Sequence, residues 1–228
     1  MMKNINNFYL IPQLKLEGGL LKCRPIGSRY VKKVHFRQGE LDGACGLYSV
    51  AMCLNILGVF DSDLINATDL SGLAREERKF VDVLNDYGLY RLGLTARQIV
   101  LILNKHFSSR VIASSHSNSG ENEDSRSAFA QHIIDNIDND LPTILMISYP
   151  NEEYGHWIVV VGYQFGEDNV INKFFCLDPG VASPKVCYWN GILNWSSKSN
   201  NHMYYTQDGA YKVLLDELIT IDYANNNL

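Results

Sequence analysis

Arg37-Gln38-Gly39-Glu40-Leu41-Asp42-Gly43-Ala44-Cys45-Gly46-Leu47-Tyr48-Ser49 runs without a break into Val50-Ala51-Met52-Cys53-Leu54-Asn55-Ile56-Leu57. Small, permissive residues give way to an apolar stretch of helical length, so the junction at Cys45 reads as the start of a helix covered by the core. A thiol at that point meets unpaired backbone N–H groups and the positive end of the helix dipole, both of which favour thiolate over thiol. A thiolate nucleophile also needs a histidine as proton partner and a third group to orient that histidine. A lone cysteine at a helix start is more often a small buried hydrophobe. The rest of the chain must therefore decide.

Upstream of this stretch, the first 28 residues read as irregular, with Pro12, Gly18, Gly19, Pro25 and Gly27 as breakers. Tyr30-Val31-Lys32-Lys33-Val34-His35-Phe36 alternates weakly, as a strand leading into the Cys45 loop would. Downstream, helical spacing recurs over residues 61–70, 75–87 and 95–105, with Thr95 as a natural N-cap. Residues 114–127 are almost wholly polar and predict an exposed loop, followed by a helix over 128–137. From Leu141 the chemistry changes. Thr143-Ile144-Leu145-Met146-Ile147, His156-Trp157-Ile158-Val159-Val160-Val161-Gly162-Tyr163 and Lys173-Phe174-Phe175-Cys176-Leu177 are strands, and Gly166-Glu167-Asp168-Asn169 reads as a hairpin turn. Residues 211–221 add a strand or a short helix. The pattern predicts an α+β fold in which a helical front carries Cys45 and packs on an antiparallel sheet.

The whole chain of 228 residues, 46% hydrophobic, reads as one domain over 1–228. A net charge of −5 with scattered lysines and arginines excludes a nucleic-acid-binding footprint. No run approaches the roughly 20 apolar residues of a membrane span. The N-terminus lacks a signal peptide's apolar core, which predicts a cytoplasmic protein, while delivery into another cell by a specialised secretion system would leave no such mark. Five cysteines at 23, 45, 53, 176 and 187 form no C-x-x-C pair and no even set, so neither a disulfide framework nor a structural metal is expected. Cys23, Cys53, Cys176 and Cys187 read as packing residues.

Six histidines are available to Cys45. His106 and His132 belong to or flank helices, His116 lies in the polar run, His202 in a Ser/Asn-rich segment, and His35 only ten positions before the cysteine. His156 opens the most apolar strand, where a rigid element would fix its ring. Asp178 ends the strand that follows, just before Pro179-Gly180 breaks the chain. If the two strands form an antiparallel hairpin, the start of the first lies beside the end of the second, and Asp178 falls next to His156. Neither residue would carry weight alone, since a histidine of this kind is usually structural and Asp-Pro-Gly is an ordinary turn. Together with Cys45 they match the nucleophile, base and orienting acid of covalent acyl chemistry. The Cys45 backbone N–H and the Gln38 side chain, seven positions upstream, would hold an oxyanion.

On Gln38, Asp42-Gly43-Ala44-Cys45-Gly46, Leu141-Pro142-Thr143-Ile144, Gly155-His156-Trp157-Ile158-Val159-Val160-Val161-Gly162-Tyr163 and Leu177-Asp178-Pro179-Gly180, the chain resembles the papain-like cysteine peptidase clan. Within the clan it resembles the bacteriocin-leader-processing peptidase-like branch. The resemblance covers about residues 35 to 181 and implies a papain-like fold, a thiolate–imidazolium pair of Cys45 and His156, Asp178 as orienter and Gln38 completing the oxyanion hole. It also implies a protein or peptide substrate and a hydrolase that needs no cofactor. In that branch the glutamine usually stands six positions before the cysteine, against seven here. The Asp42-Gly43-Ala44-Cys45 segment also looks like the nucleophile loop of ovarian-tumour-type deubiquitinases, in which loop backbone forms the oxyanion hole. Glutamine deamidation, as in bacterial effectors, uses the same triad with another leaving group. A non-catalytic peptide-binding module would keep the fold without needing all three residues.

Overall fold

A computed structural model describes residues 8–39, 43–60, 73, 75–87, 93–152, 154–167 and 170–224. In chain order these form β1 (Phe8–Leu10), β2 (Leu14–Glu17), β3 (Leu20–Cys23), β4 (Lys32–Lys33), α1 (Cys45–Ile56), α2 (Arg75–Tyr87), α3 (Ala96–His106), β5 (Val111–Ser117), α4 (Glu123–Asp138), β6 (Thr143–Ser148), β7 (Gly155–Phe165), β8 (Ile171–Leu177), β9 (Gly191–Asn194), β10 (His202–Thr206) and β11 (Gly209–Tyr223). The architecture is α+β, and every pairing in its sheets is antiparallel.

Six of the strands close on themselves. The path β7-β6-β11-β10-β9-β8 returns to β7 through the β7–β8 pairing, while β1 extends the sheet along β7 and β5 along β11. Closure leaves none of the six ring strands as an open edge, and the edges that remain are those of β1 and β5. Within the ring β7 is buried from Trp157 to Tyr163, which accounts for its unbroken apolar sequence. Both α1 and α4 pack on β6 and β7, and α3 packs on β5, β11 and α1. Eleven of the twelve α1 residues are buried, Met52, Leu54 and Ile56 completely. Each such side chain contributes about 1.5–3 kcal/mol by leaving water, so tertiary burial holds this helix. Its N-cap, Ala44, offers no side-chain hydrogen bond and its first turn holds no acid, whereas α3 and α4 both start with capping boxes, Thr95 with Gln98 and Asn122 with Ser125.

Several expectations need correction. Among the described residues the stretch 8–28 is not irregular: Leu14-Lys15-Leu16-Glu17 pairs with Leu20-Leu21-Lys22-Cys23 around Gly18 and Gly19. Both glycines have positive φ, 62° and 71°, as a two-residue hairpin turn of this kind requires. The strand expected over residues 30–36 shrinks to Lys32–Lys33. The polar run 114–127 lies at the surface, but its loop shrinks to residues 118–122: β5 reaches Ser117 by pairing with β11 from Glu217 to Tyr223, and α4 begins at Glu123, well before residue 128. Polar side chains suffice there because the ladder joins backbone to backbone. Residues 211–221 lie within one 15-residue strand. The helix expected over 61–70 lies outside the described residues.

Candidate active site

The β7–β8 hairpin sets the site. Val159 pairs with Leu177 and Val160 with Cys176, with a bulge between Val160 and Gly162, so Asp178 emerges one residue past the ladder on the side where β7 begins. His156 Nε2 and Asp178 Oδ1 are 2.6 Å apart, with side chains 16% and 4% exposed. The carboxylate has further partners. The Gly180 N–H donates to Oδ1 at 2.7 Å, and the Tyr204 hydroxyl, buried at 1% exposure, donates to Oδ2 at 2.8 Å. Burial would push the Asp178 carboxyl up, but the bonds from His156, Tyr204 and Gly180 and the His156 charge hold it below the ordinary range.

Cys45 lies at the first position of α1, 6% exposed. Its thiol lies near enough to His156 to act on the charge of the imidazole. Because Nε2 is taken by Asp178, Nδ1 is the ring nitrogen left for another partner. Burial alone would lower the pKa of His156; the bonds to Asp178 and Cys45, and the charges of both, outweigh it and push the value up to about 10. The imidazole therefore keeps its proton at neutral pH.

Two features seat α1 against β7. Ser49 Oγ donates to the Trp157 carbonyl at 3.1 Å, next in sequence to His156. Gly46 meets Trp157 so closely that a Cβ would stand 3.2 Å from its Cδ1 and 3.2 Å from Ile99 Cδ1, so a side chain at the second residue of the helix would have to push these neighbours aside. Trp157 is fixed in turn by its Nε1–H, which donates to the Leu94 carbonyl at 2.7 Å.

Gln38 approaches from the far side of the same turn. Its backbone N–H donates to the Pro179 carbonyl at 2.9 Å, and its Oε1 is buried without a hydrogen-bond partner. An unpaired buried acceptor of this kind costs about 1–3 kcal/mol.

Sequence reasoning missed three contributors. His35, passed over as too near Cys45, is buried behind Asp178, with Nε2 2.8 Å from the Asp178 carbonyl oxygen; burial lowers its pKa and keeps it neutral. Asn190 clamps the same residue, accepting from the Asp178 N–H at 2.7 Å and donating to its carbonyl at 2.9 Å. Tyr204 could have been noticed, because the alternation of buried His202 and Tyr204 with exposed Met203 and Tyr205 turns a phenol inward, where its hydroxyl needs a partner. Nothing in the sequence names that partner. The room for it comes from Gly191, where a Cβ would overlap the Tyr204 hydroxyl and stand 2.7 Å from Cζ.

Of the other histidines, His202 stacks on Trp195 and burial lowers its pKa to about 4, while His116 stacks on His132 at 3.9 Å. Cys53 and Cys176 are fully buried, which drives their thiols well up. Among the described residues no three His, Cys, Asp or Glu side chains cluster as a metal ion would need, and no helix is long and apolar enough to cross a membrane. A cleft of about 260 Å³ reaches His156 and Asp178 between Tyr149, Val181, Tyr204 and Tyr211.

A sequence profile described as the Peptidase_C39 like family matches residues 28–210, a span that holds Gln38, Cys45, His156, Asp178 and Tyr204. Among solved structures, the crystal structure of UfSP from C. elegans aligns with a TM-score of 0.47 at 13% identity, covering 97% of this chain and 35% of that one. The chain thus spans about a third of that protein's length. No curated protein sequence matches it.

Proposed function

The chain belongs to the Peptidase_C39 like family, within the papain-like cysteine peptidase clan, and from that premise we propose that it hydrolyses peptide or isopeptide bonds with Cys45 as nucleophile, His156 as proton carrier and Asp178 as the group that holds His156. The observation that carries this reading is the chain of contacts from Cys45 through His156 to Asp178, closed at 2.6 Å on the aspartate side. Cys45 Sγ attacks the carbonyl carbon as thiolate, and the C=O pair moves onto oxygen. The Cys45 N–H, at a helix start without a side-chain cap, and the Gln38 amide receive that charge. As the C–N bond breaks, His156 gives its proton to the departing amine. It then takes a proton from water, whose oxygen attacks the thioester and frees the thiolate.

The buried, unpartnered Oε1 of Gln38 supports a substrate contact there, since a bound N–H group would remove its penalty. Labelling with iodoacetamide at neutral pH tests the reading. Cys45 is expected to react far faster than Cys187, the half-buried free thiol, and His156→Ala is expected to abolish the difference. Cleavage of a peptide mixture should disappear in Cys45→Ala. Equal labelling rates, or cleavage that survives Cys45→Ala, would refute the assignment; a gain of about one dalton at glutamine without cleavage would replace hydrolysis by deamidation.

A further inference from the structure

The cleft at the candidate site is not electrically neutral. Its walls carry Tyr149, Tyr204 and Tyr211 together with His156, Asp178 and Asp208, and neither lysine nor arginine lines it among the described residues; the His156 charge is offset by Asp178, which leaves Asp208 as the uncompensated one. The two carboxylates differ in kind. Asp178 is buried, with both oxygens engaged by His156, Gly180 and Tyr204. Asp208 sits in the turn between β10 and β11, where its N–H donates to Thr206 Oγ1 at 3.1 Å. It is exposed, and its carboxylate forms no ion pair or hydrogen bond among the described residues. Nearby, Tyr149 and Tyr211 meet edge to face, with centroids 6.0 Å apart and planes at 78°. Both rings line the cleft, and an aromatic face, the negative part of the ring quadrupole, attracts a cation brought over it.

The position of the cleft says which part of a substrate it receives. It is lined by His156, not by Cys45 or Gln38. The histidine delivers the proton to the departing amine, so the cleft lies on the leaving-group side of the scissile bond. Resting on the hydrolase reading above, we propose that the residue on that side carries a cationic side chain, arginine or lysine, held between the Tyr149–Tyr211 corner and the Asp208 carboxylate. A cation over an aromatic face with an exposed carboxylate beside it favours arginine over an uncharged residue of similar length on the order of tenfold.

Two measurements test this together. The wild-type protein is given a randomised peptide mixture, and the new N-termini are read by mass spectrometry. Arginine and lysine should be enriched there about tenfold over leucine, less so with Asp208→Asn, and not at all with Asp208→Lys, where glutamate should gain instead. In parallel, argininamide and norleucinamide, which mimic the amine product, are titrated into the Cys45→Ala protein. Argininamide should bind more tightly, and Asp208→Lys should erase the difference. New N-termini without cationic enrichment, or enrichment that survives Asp208→Lys, overturn the proposal while leaving hydrolysis intact. If no new N-termini form, the peptide-bond reading fails and the amides decide: selective binding lost in Asp208→Lys supports the cationic subsite, and equal binding overturns it.

Discussion

Replacing Tyr204 by phenylalanine deletes a single O–H from the interior and nothing else. That hydroxyl gives Asp178 Oδ2 its hydrogen bond at 2.8 Å, whereas Oδ1 keeps His156 and the Gly180 N–H. A hydrogen bond to a charged group contributes about 1.5–3 kcal/mol. For a domain of this size each kcal/mol shifts the melting temperature by about 2–4 °C, so Tyr204→Phe should melt roughly 3–12 °C below wild type. The loss should also depend on pH. The native pKa of Asp178 is depressed, so its ionisation contributes stability above the unfolded value near 3.8, and that contribution is lost as pH falls through the folded value. Tyr204 is one cause of the depression, and the gap between the two proteins should therefore be full at pH 7 and narrow in acid below 3.8. Calorimetric melting at pH 7 and at successively lower pH below 3.8 measures both. Tyr204 acts on the chemistry only through Asp178, as a positioning residue: kcat should fall, KM should hold, and the acid limb of the kcat profile should move up. Equal melting at pH 7, or a deficit that never narrows as the acid limb is descended, would refute the reasoning.

The His156 pKa of about 10 lies above its ordinary 6.5, so the stability it contributes is complete below 6.5 and drains away as pH rises through 10; urea unfolding should show that decline, and His156→Gln should flatten it. Gly191→Ala should force the Tyr204 ring off Asp178, since the new Cβ would stand 2.7 Å from Cζ. It loses the same hydrogen bond and adds about 1–3 kcal/mol of overpacking, so it should melt below Tyr204→Phe and share its kcat loss; a melting point at or above that of Tyr204→Phe would sink this account.

The parts of the site that were legible in sequence are those that local rules specify. An apolar run after small residues gives the helix at Cys45, an unbroken aliphatic run gives β7, and one short turn fixes the register that carries Asp178 toward His156. What local rules could not give depends on which strands pair. Gly18-Gly19 breaks a local pattern, and it also joins two runs as a hairpin turn, a distinction that only the pairing of β2 with β3 decides. The 114–127 run has almost no apolar side chains, and its first part becomes a strand only because β11 offers a backbone ladder about a hundred residues later in the chain. Tyr204, Asn190 and His35 gather around Asp178 for the same reason. Their hydrogen bonds span 26, 12 and 143 residues, separations over which periodicity carries no information.

Ring closure also has a consequence in time. β11 is the shared partner of β5, β6 and β10, and it comes last among the described elements. While the chain is being made, Cys45, His156 and Asp178 are all synthesised before the strand that closes the barrel around them. Until β11 docks, β10 lacks its partner and Tyr204 has no fixed place from which to hold Asp178. A nascent chain therefore carries its thiol past its own synthesis machinery before the histidine's support is complete, and pairings this distant in sequence form slowly. The order of the strands delays competence until the fold is finished.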